Sequence, residues 1–321
     1  MHAISIEKRH NYFMTKTSNS PYLVILYYQY VPIKDPQTFR NQHFKYCESL
    51  GLLGRIIVAQ EGINGTLSGP KEQIHKYIDQ LKQDVRFCNT VFKIENVDAQ
   101  VFPRLSIKVK PELVNLSLEE KVDLTKDKGA YLAPQEFLQS LQEKDVLILD
   151  ARNDYEYDLG HFRNAVNPNI RHFRDLPNWV KQNTHLLKNK KIVTYCTGGV
   201  RCEKFSTFLK KEGFVDVYQL EGGIISYGKH PETQGVLWDG QMYVFDQRIA
   251  VTVNQKEHVI VGKDYFDGTP CERYINCSNP QCNKQILCHE HNEHKYLGAC
   301  SDKCSAHPQN RYLKKHNNKT S

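Results

Sequence analysis

The strongest candidate for chemistry is a cysteine that follows a short apolar stretch. Cys196 comes directly after the predicted strand Ile192–Tyr195, and reactive groups in open α/β sheets collect beyond the carboxyl ends of the strands. Gly198 and Gly199 let the backbone turn tightly and point its N–H groups inward. Arg201 adds a permanent positive charge, and the helix that follows adds the positive end of its dipole. Because these features lower the pKa of a thiol, we expect Cys196 to be a reactive thiolate.

The residues around this thiol form a predicted anion-binding loop. Its members are Thr197, Gly198, Gly199, Val200 and Arg201. Cys202 follows at the start of the next helix and has two interpretations. It is either a resolving thiol that forms a disulfide with an oxidised Cys196, or a half-buried helix cysteine.

A second set of cysteines has spacing typical of a metal site. Six cysteines lie between residues 271 and 304, and short-spaced pairs separated by a loop present four thiolates to zinc. The expected ligands of a structural zinc ion are Cys277, Cys282, Cys300 and Cys304. Substitute ligands, or ligands of a second site, are Cys288, His289, His291 and His294. Reduced cysteines without a metal are the competing interpretation.

Composition indicates the compartment. No stretch approaches the roughly 20 apolar residues of a membrane span, and the N-terminus lacks the apolar run of a secretory signal. We therefore expect a cytoplasmic protein without membrane association, in which the ten cysteines are reduced. Cys47 and Cys88 are interpreted as buried core thiols.

The net charge of +7 is compatible with an RNA partner and also with an enzyme that binds no nucleic acid.

The N-terminal part has the order βαββαβ, which is the ferredoxin-like split βαβ arrangement. The predicted strands are Tyr22–Tyr30, Arg55–Gln60, Thr66–Ser68 and Arg104–Lys110. Helices are predicted from Pro36 and after Pro70, and the turn between the second and third strands is assigned to Glu61–Gly65.

The last predicted strand of this part carries a basic stripe. Alternation places Leu105, Ile107 and Val109 inward. The outward stripe is Arg104, Lys108 and Lys110. It is either an RNA-binding surface or an ordinary solvated face.

The central part alternates strands and helices, which predicts a parallel sheet with helices on its faces. The strands are Val146–Ala151, Ile192–Tyr195 and Val217–Leu220, and the helices are Pro134–Leu141, Trp179–Leu187 and Val200–Lys211. The segment from Trp238 to Val251 is predicted to continue as a strand.

These patterns divide the α/β chain into six regions. They are a disordered leader (1–20), a ferredoxin-like domain (21–113), a linker (114–129), a parallel-sheet α/β domain (130–240), a Cys-rich region (241–310) and a basic, flexible tail (311–321). Met14 is an alternative start of translation.

The α/β domain resembles rhodanese domains in three ordered blocks. They are Leu149–Ala165, Cys196–Arg201 and Leu220–Ile224. The resemblance implies a loop cysteine that carries a persulfide or another oxidised sulfur, held by backbone N–H groups and the loop arginine. It also implies that four residues mainly brace the fold, with the first of them also able to bind loop groups: Asp150, Arg152, Glu156 and His161.

From about residue 20 to about residue 310, the chain resembles the tRNA uridine(34) hydroxylase family. Besides the rhodanese blocks, Glu61–Thr66, Val244–Arg248 and the Cys-rich region carry this resemblance. It implies oxygen-dependent formation of 5-hydroxyuridine at the wobble position of the tRNA anticodon loop, with Cys196 essential. The sequence shows no flavin, haem or iron motif, and it identifies neither the electron donor nor the oligomeric state.

Two other classes of function compete with this one. A sulfurtransferase would pass a persulfide sulfur from Cys196 to an acceptor, and a non-enzymatic adaptor would bind only RNA or metal. A cysteine phosphatase is disfavoured, because the loop from Cys196 to Arg201 is one residue too short to cradle phosphate.

Overall fold

The computed structural model describes residues 20–317, apart from residues 121 and 125–127. The predicted leader, including Met14, lies outside the described residues except for residue 20, and so does the end of the basic tail at 318–321. The chain divides into two units, Met1–Asn115 and Leu116–Ser321.

The first unit is a five-stranded sheet with two helices. Its elements are β1 (Tyr22–Tyr30), α1 (Pro36–Ser49), β2 (Leu53–Ala59), β3 (Gly62–Pro70), α2 (Lys71–Gln83), β4 (Lys93–Val97) and β5 (Leu105–Val109). The strand order is β4-β1-β3-β2-β5, and only the β2–β5 pair is parallel. Ile74, Ile78 and Leu81 of α2 are buried in the core as predicted. The ferredoxin-like class is therefore confirmed.

Two strand assignments in this unit are corrected. Lys93–Val97 pairs with β1 and closes the βαββαβ order, whereas Leu105–Val109 is an added edge strand parallel to β2. The sequence pattern does not reveal β4, because Glu95 and Asn96 break the alternation of apolar residues. Val109, expected to face inward, is 38% exposed at the end of this edge strand.

The predicted turn at Glu61–Gly65 is also wrong. The chain turns at Gln60 and Glu61, and Gly62 already begins β3. Gly62 has φ +141°, and a Cβ there would lie 2.0 Å from the carbonyl oxygen of Gln29. The absence of a side chain at Gly62 therefore lets β3 pair closely with β1. Gly62 belongs to the strand and not to the turn.

The second unit contains the predicted parallel sheet. Its strands are β6 (Ala130–Leu132), β7 (Val146–Asp150), β9 (Lys191–Tyr195) and β10 (Val217–Leu220), in the order β6-β10-β9-β7. The helices are α3 (Pro134–Ser140), α4 (Asp154–Leu159), α5 (Leu176–Gln182), α6 (Thr184–Leu187), α7 (Val200–Lys211) and α8 (Gly223–Lys229). A second sheet has the order β12-β11-β8 and consists of β8 (Gly160–Phe162), β11 (Trp238–Tyr243) and β12 (Ala250–Thr252).

The core of this unit lies beneath the strand ends that carry the candidate thiol. Phe137, Phe162, Tyr195 and Trp238 are fully buried, and Phe162 meets Tyr195 and Trp238 edge to face, with ring centres 4.9 and 5.0 Å apart. Such ring pairs add stabilisation beyond their buried area. The end of β9 is therefore a rigid base for the loop that follows it.

Three expectations for the second unit are corrected. The predicted helix Trp179–Leu187 is two helices, α5 and α6, separated at Asn183. The segment Trp238–Val251 is an antiparallel pair, β11 and β12, because the chain reverses at Asp246–Ile249. The tail expected to be flexible forms the helix α11 (Arg311–Asn317).

The Cys-rich region has little regular structure. It contains β13 (Tyr274–Asn276), β14 (Gln285–Leu287), α9 (Glu290–Lys295) and α10 (Asp302–Ser305) before α11. Its apolar residues form only small clusters, one of which contains Cys277, Ala299 and Cys304. A region with so small a core needs another source of stability. No helix among the residues described is long and apolar enough to cross a membrane.

Candidate active site and cysteine cluster

Cys196 lies at the carboxyl end of β9, as predicted, in a loop closed by two elements. Gly199, with φ +101°, caps α7, and its N–H donates to the Cys196 sulfur at 3.2 Å. From the other side, Ile224 N–H donates to the carbonyl oxygen of Cys196 at 3.0 Å. The loop carbonyls are thus bound by α8, which leaves loop N–H groups to face the sulfur.

Gly223 makes this closure fit. Its φ is +70°, and a Cβ there would lie 2.5 Å from the carbonyl oxygen of Cys196 and 2.7 Å from that of Thr197. Sequence reasoning placed this glycine in a rhodanese block without giving it a role. The signal was the pair Gly222-Gly223 after a strand, which is typical of a close backbone approach.

Arg201 is held by a carboxylate and does not point freely at a ligand. Its guanidinium donates twice to Glu156, with both nitrogen–oxygen distances 2.7 Å, and once to the Thr197 hydroxyl at 3.2 Å. Glu156 is fully buried, and burial would raise its pKa, but the charge and hydrogen bonds of Arg201 lower it below its ordinary value. Glu156 therefore fixes the loop arginine. A buried arginine requires an acidic partner. The signal in the sequence for a residue such as Glu156 was therefore the loop arginine Arg201 itself.

The surroundings of Cys196 favour the thiolate. Burial raises its pKa, but the Cys202 thiol hydrogen bond, the charge of Arg201 and the N–H groups of Cys202 and Arg201 together lower it to about 5. At neutral pH the sulfur is therefore ionised, which is the nucleophilic form of cysteine.

Cys202 is the neutral partner of this thiolate. It is fully buried, not half-buried, and burial together with the charge on Cys196 raises its pKa well above the ordinary value. Its sulfur also lies 3.7 Å from the Thr194 hydroxyl. The pair thus consists of one thiolate and one thiol in contact.

Asp150 and Arg152 form a buried pair beneath the loop. Arg152 donates to Asp150 at 2.6 Å and to the carbonyl oxygen of Gly160 at 2.8 Å. The Tyr195 hydroxyl donates to Asp150 at 2.7 Å. Asp150 therefore reaches the residue before Cys196 and not the anion-binding residues, and the pair supports the end of β9. His161 stacks on Tyr157, with ring centres 3.8 Å apart, which fits a bracing role.

The four cysteines predicted to bind zinc come together. Their sulfurs all lie within 4.8 Å of one another, with Cys282 and Cys300 at 3.6 Å and Cys300 and Cys304 at 3.9 Å. Four thiolates around zinc have sulfurs about 3.8 Å apart, from a Zn–S distance of ~2.3 Å. Asn279 also donates to the Cys304 sulfur at 3.4 Å. The cluster can therefore bind a metal ion.

The substitute ligands lie outside this cluster. His289 joins Asp264 and Cys271 in a second group within 4.8 Å. His291 lies 3.5 Å from the Asp267 carboxylate, and His294 contacts the Tyr312 hydroxyl.

The remaining predicted residues are on the surface of the first unit. Arg104, Lys108 and Lys110 are exposed, at or beside the edge strand β5. Cys47 is buried as predicted, but Cys88 is exposed, because it lies in the turn after α2, where its thiol donates to the carbonyl oxygen of Val85 at 3.1 Å.

Three family models match the chain in order. They are the UPF0176 acylphosphatase-like domain at residues 22–113, the rhodanese-like domain at 133–230 and the rhodanese C-terminal domain at 239–305. The candidate thiol lies in the second match and the cysteine cluster in the third.

Curated relatives match over nearly the whole chain. A protein of Aster yellows witches'-broom phytoplasma (strain AYWB) is 99% identical over 308 residues, which cover 96% of this chain and 100% of that protein. A protein of Oceanobacillus iheyensis is 58% identical over 299 residues, with 93% of each chain covered. Both are named tRNA uridine(34) hydroxylase. The chain therefore belongs to the tRNA uridine(34) hydroxylase family.

Proposed function

We propose that this enzyme hydroxylates the wobble uridine of tRNA, at position 34, to 5-hydroxyuridine, with molecular oxygen as co-substrate and Cys196 as the catalytic thiol. The observation that carries the proposal is a thiol at the end of a parallel strand, with the Gly199 N–H donating to its sulfur, in a chain whose relatives are named tRNA uridine(34) hydroxylase. Because the chemistry needs tRNA and free thiols, we place it in the reducing cytoplasm.

Cys196 has two routes to the reaction. As a nucleophile, its thiolate adds to C6 of uridine and makes C5 electron-rich. As an oxidised sulfur, it delivers oxygen to C5 directly. Both routes require the ionised thiol, which Arg201 and the N–H groups of the loop stabilise.

The electrons of the reaction can pass through the two neighbouring thiols. Insertion of one oxygen atom of O2 into the C5–H bond leaves the other atom to become water, which takes up two electrons and two protons. Oxidation of the Cys196 thiolate and the Cys202 thiol to a disulfide releases the two electrons and one proton, and the second proton comes from water. A thiol reductant then reduces the disulfide before the next turnover.

The target base must be exposed to reach this site. Cys196 is only 1% exposed, so a base paired or stacked in a helix has no path to its sulfur. Bases of an anticodon loop are unstacked and can be splayed into a protein pocket. The buried thiol therefore supports a single-stranded target, with groups around the loop moving to admit the base.

For the cysteine cluster we propose a structural zinc ion, bound by Cys277, Cys282, Cys300 and Cys304. Four thiolates complete a tetrahedral site and leave no open position for substrate. The ion would hold the Cys-rich region together.

The test is a reaction of purified protein with unmodified tRNA, with and without oxygen, followed by mass spectrometry of the nucleosides. Gain of one oxygen atom on uridine, only when oxygen is present, is the expected result.

A rhodanese-type sulfurtransferase is the second candidate, because the loop N–H groups would also hold a persulfide on Cys196. Sulfur on the base, or turnover of thiosulfate without RNA, would favour that activity and contradict hydroxylation.

A further inference from the structure

A cleft of about 400 Å³ lies between α4 and the Cys-rich region. Tyr155 and Tyr157 line it on the α4 side, and Tyr265, Tyr274 and Lys284 line it on the other. The two walls are joined, because the Tyr274 hydroxyl donates to the carbonyl oxygen of Tyr155. The cleft is therefore preformed, and its volume is in the usual range for binding sites.

The walls combine aromatic rings with cations. The Lys284 ammonium lies 4.5 Å from the ring centre of Tyr265 and 3.3 Å from its hydroxyl. Tyr265 is 46% exposed, so part of its side chain is accessible to a ligand. Exposed rings beside positive charges are the surface on which single-stranded nucleic acids stack their bases and place their phosphates.

The charges in the cleft leave two lysines for a ligand. Arg171 is occupied, since it donates to Asp154 at 3.1 Å and to Gln285 at 2.6 Å. Among the residues that the structure describes, no carboxylate forms an ion pair with Lys263 or Lys284. Asp158 is the other acidic residue of the cleft, so three permanent cations face two carboxylates.

The cleft and the reactive loop share one short helix. Tyr155, on the cleft wall, directly precedes Glu156, which fixes Arg201. Arg171 also stacks over Tyr155, with its guanidinium 5.0 Å from the ring centre. A chain bound in the cleft would thus contact the helix that holds the loop arginine.

We propose that this cleft binds a single-stranded segment of the tRNA substrate, with Tyr265 stacking on a base and Lys263 and Lys284 contacting phosphates. The proposal rests on tRNA being the substrate and adds the surface that binds it. The ionic contacts would position the RNA, and the stacked base would hold its single-stranded part beside the reactive loop.

The test compares two double charge reversals in the full-length protein. Lys263→Glu/Lys284→Glu changes the cleft. Lys256→Glu/Lys295→Glu is the matched control, because both lysines are exposed, lie outside the cleft lining, and give the same change in net charge. Binding of unmodified tRNA is measured at several salt concentrations, and thermal unfolding verifies that every variant is folded.

We expect the cleft variant to bind tRNA more weakly, with a log–log salt slope about two units smaller than that of the control. Tyr265→Ala should lose about tenfold or more in affinity, and Tyr265→Phe should bind like the wild type because it keeps the ring. The KM for tRNA should rise while kcat changes little.

Equal affinity and slope in the cleft variant and the control would overturn the proposal. That result is separate from a failure of the hydroxylation itself. If the wild type hydroxylates tRNA and the cleft variant matches the control, only the cleft assignment fails. If the wild type does not hydroxylate tRNA, the binding curves still decide whether the cleft contacts RNA.

Discussion

At the scale of single residues, the site depends on how Cys196 keeps a negative charge while buried. Its pKa of about 5 lies below the ~8.5 of an unfolded-chain thiol. Ionisation of Cys196 therefore makes its full contribution to folding stability at pH values above the pKa of the thiol in the unfolded chain. This contribution is lost as the pH falls towards 5. The catalytic form of the thiol is lost at the same pH.

The first prediction is that Cys196→Ser abolishes 5-hydroxyuridine formation without unfolding the protein. Serine keeps the shape of the side chain, but its hydroxyl stays protonated at neutral pH. The difference in unfolding free energy between wild type and variant should shrink as the pH falls from about 8.5 to about 5. The measurements are nucleoside mass spectrometry and denaturant unfolding at several pH values.

Cys202→Ser is the informative companion variant. Strong loss of multiple-turnover activity would indicate that a disulfide step is needed, and near-normal activity would indicate that Cys196 works without Cys202. Normal hydroxylation by Cys196→Ser would exclude Cys196 as the catalytic thiol.

The second prediction concerns the pair Glu156 and Arg201. Arg201→Ala should lower the free energy of unfolding by about 3–5 kcal/mol, because it leaves the buried Glu156 carboxylate without the guanidinium that pairs with it. The double variant Glu156→Gln/Arg201→Met should recover part of this loss, since it removes both charges. Denaturant unfolding measures the stabilities. Equal destabilisation in single and double variants would show that the ion pair is not the cause.

At the scale of elements, the sequence predicts the reactive loop of the second unit better than it predicts the sheet of the first unit. The apolar run of β9, the two glycines and the helix beginning at Val200 are local signals, and the structure confirms all three. The order of the edge strands β4 and β5 is not local, because it depends on which partner a half-polar strand finds in three dimensions.

The contacts that complete the site also come from distant elements. Glu156 lies 45 residues before Arg201, and Gly223 reaches the loop from α8. The sequence shows that a buried arginine needs an acidic partner, but not which carboxylate the fold brings to it.

The third prediction is that purified protein contains about one zinc ion per chain and that Cys300→Ser loses it. Cys288→Ser is the matched control, because Cys288 is buried but lies outside the group of four sulfurs. Metal binding is coupled to folding, so Cys300→Ser should make the Cys-rich region sensitive to proteolysis while the parallel-sheet domain stays folded. Elemental analysis and limited proteolysis measure the two effects. Metal-free wild-type protein, prepared without chelator, would contradict the prediction.

At the scale of the whole molecule, the proposed substrate is a polyanion, and each of the two units carries one candidate surface for it. The net charge is only +7, so affinity for tRNA must come from local concentrations of positive charge. One candidate lies in each unit, the cleft beside α4 in the second and the edge strand β5 in the first.

The bounds of the sequence regions, 21–113, 114–129, 130–240 and 241–310, remain predictions that limited proteolysis of the intact chain can test.

The last prediction concerns Arg104, Lys108 and Lys110, which are exposed on or next to β5. If they contact tRNA phosphates, reversing all three charges should weaken binding and lower the log–log salt slope by about three units, one for each lost contact. The matched control reverses Lys45, Lys71 and Lys76, which are exposed in the same unit but lie on its helices. Both triple variants change the net charge from +7 to 7 − 6 = +1, so a general charge effect would alter them equally. A slope reduced only in the β5 variant would assign these residues to RNA binding, whereas equal slopes would identify them as an ordinary solvated face.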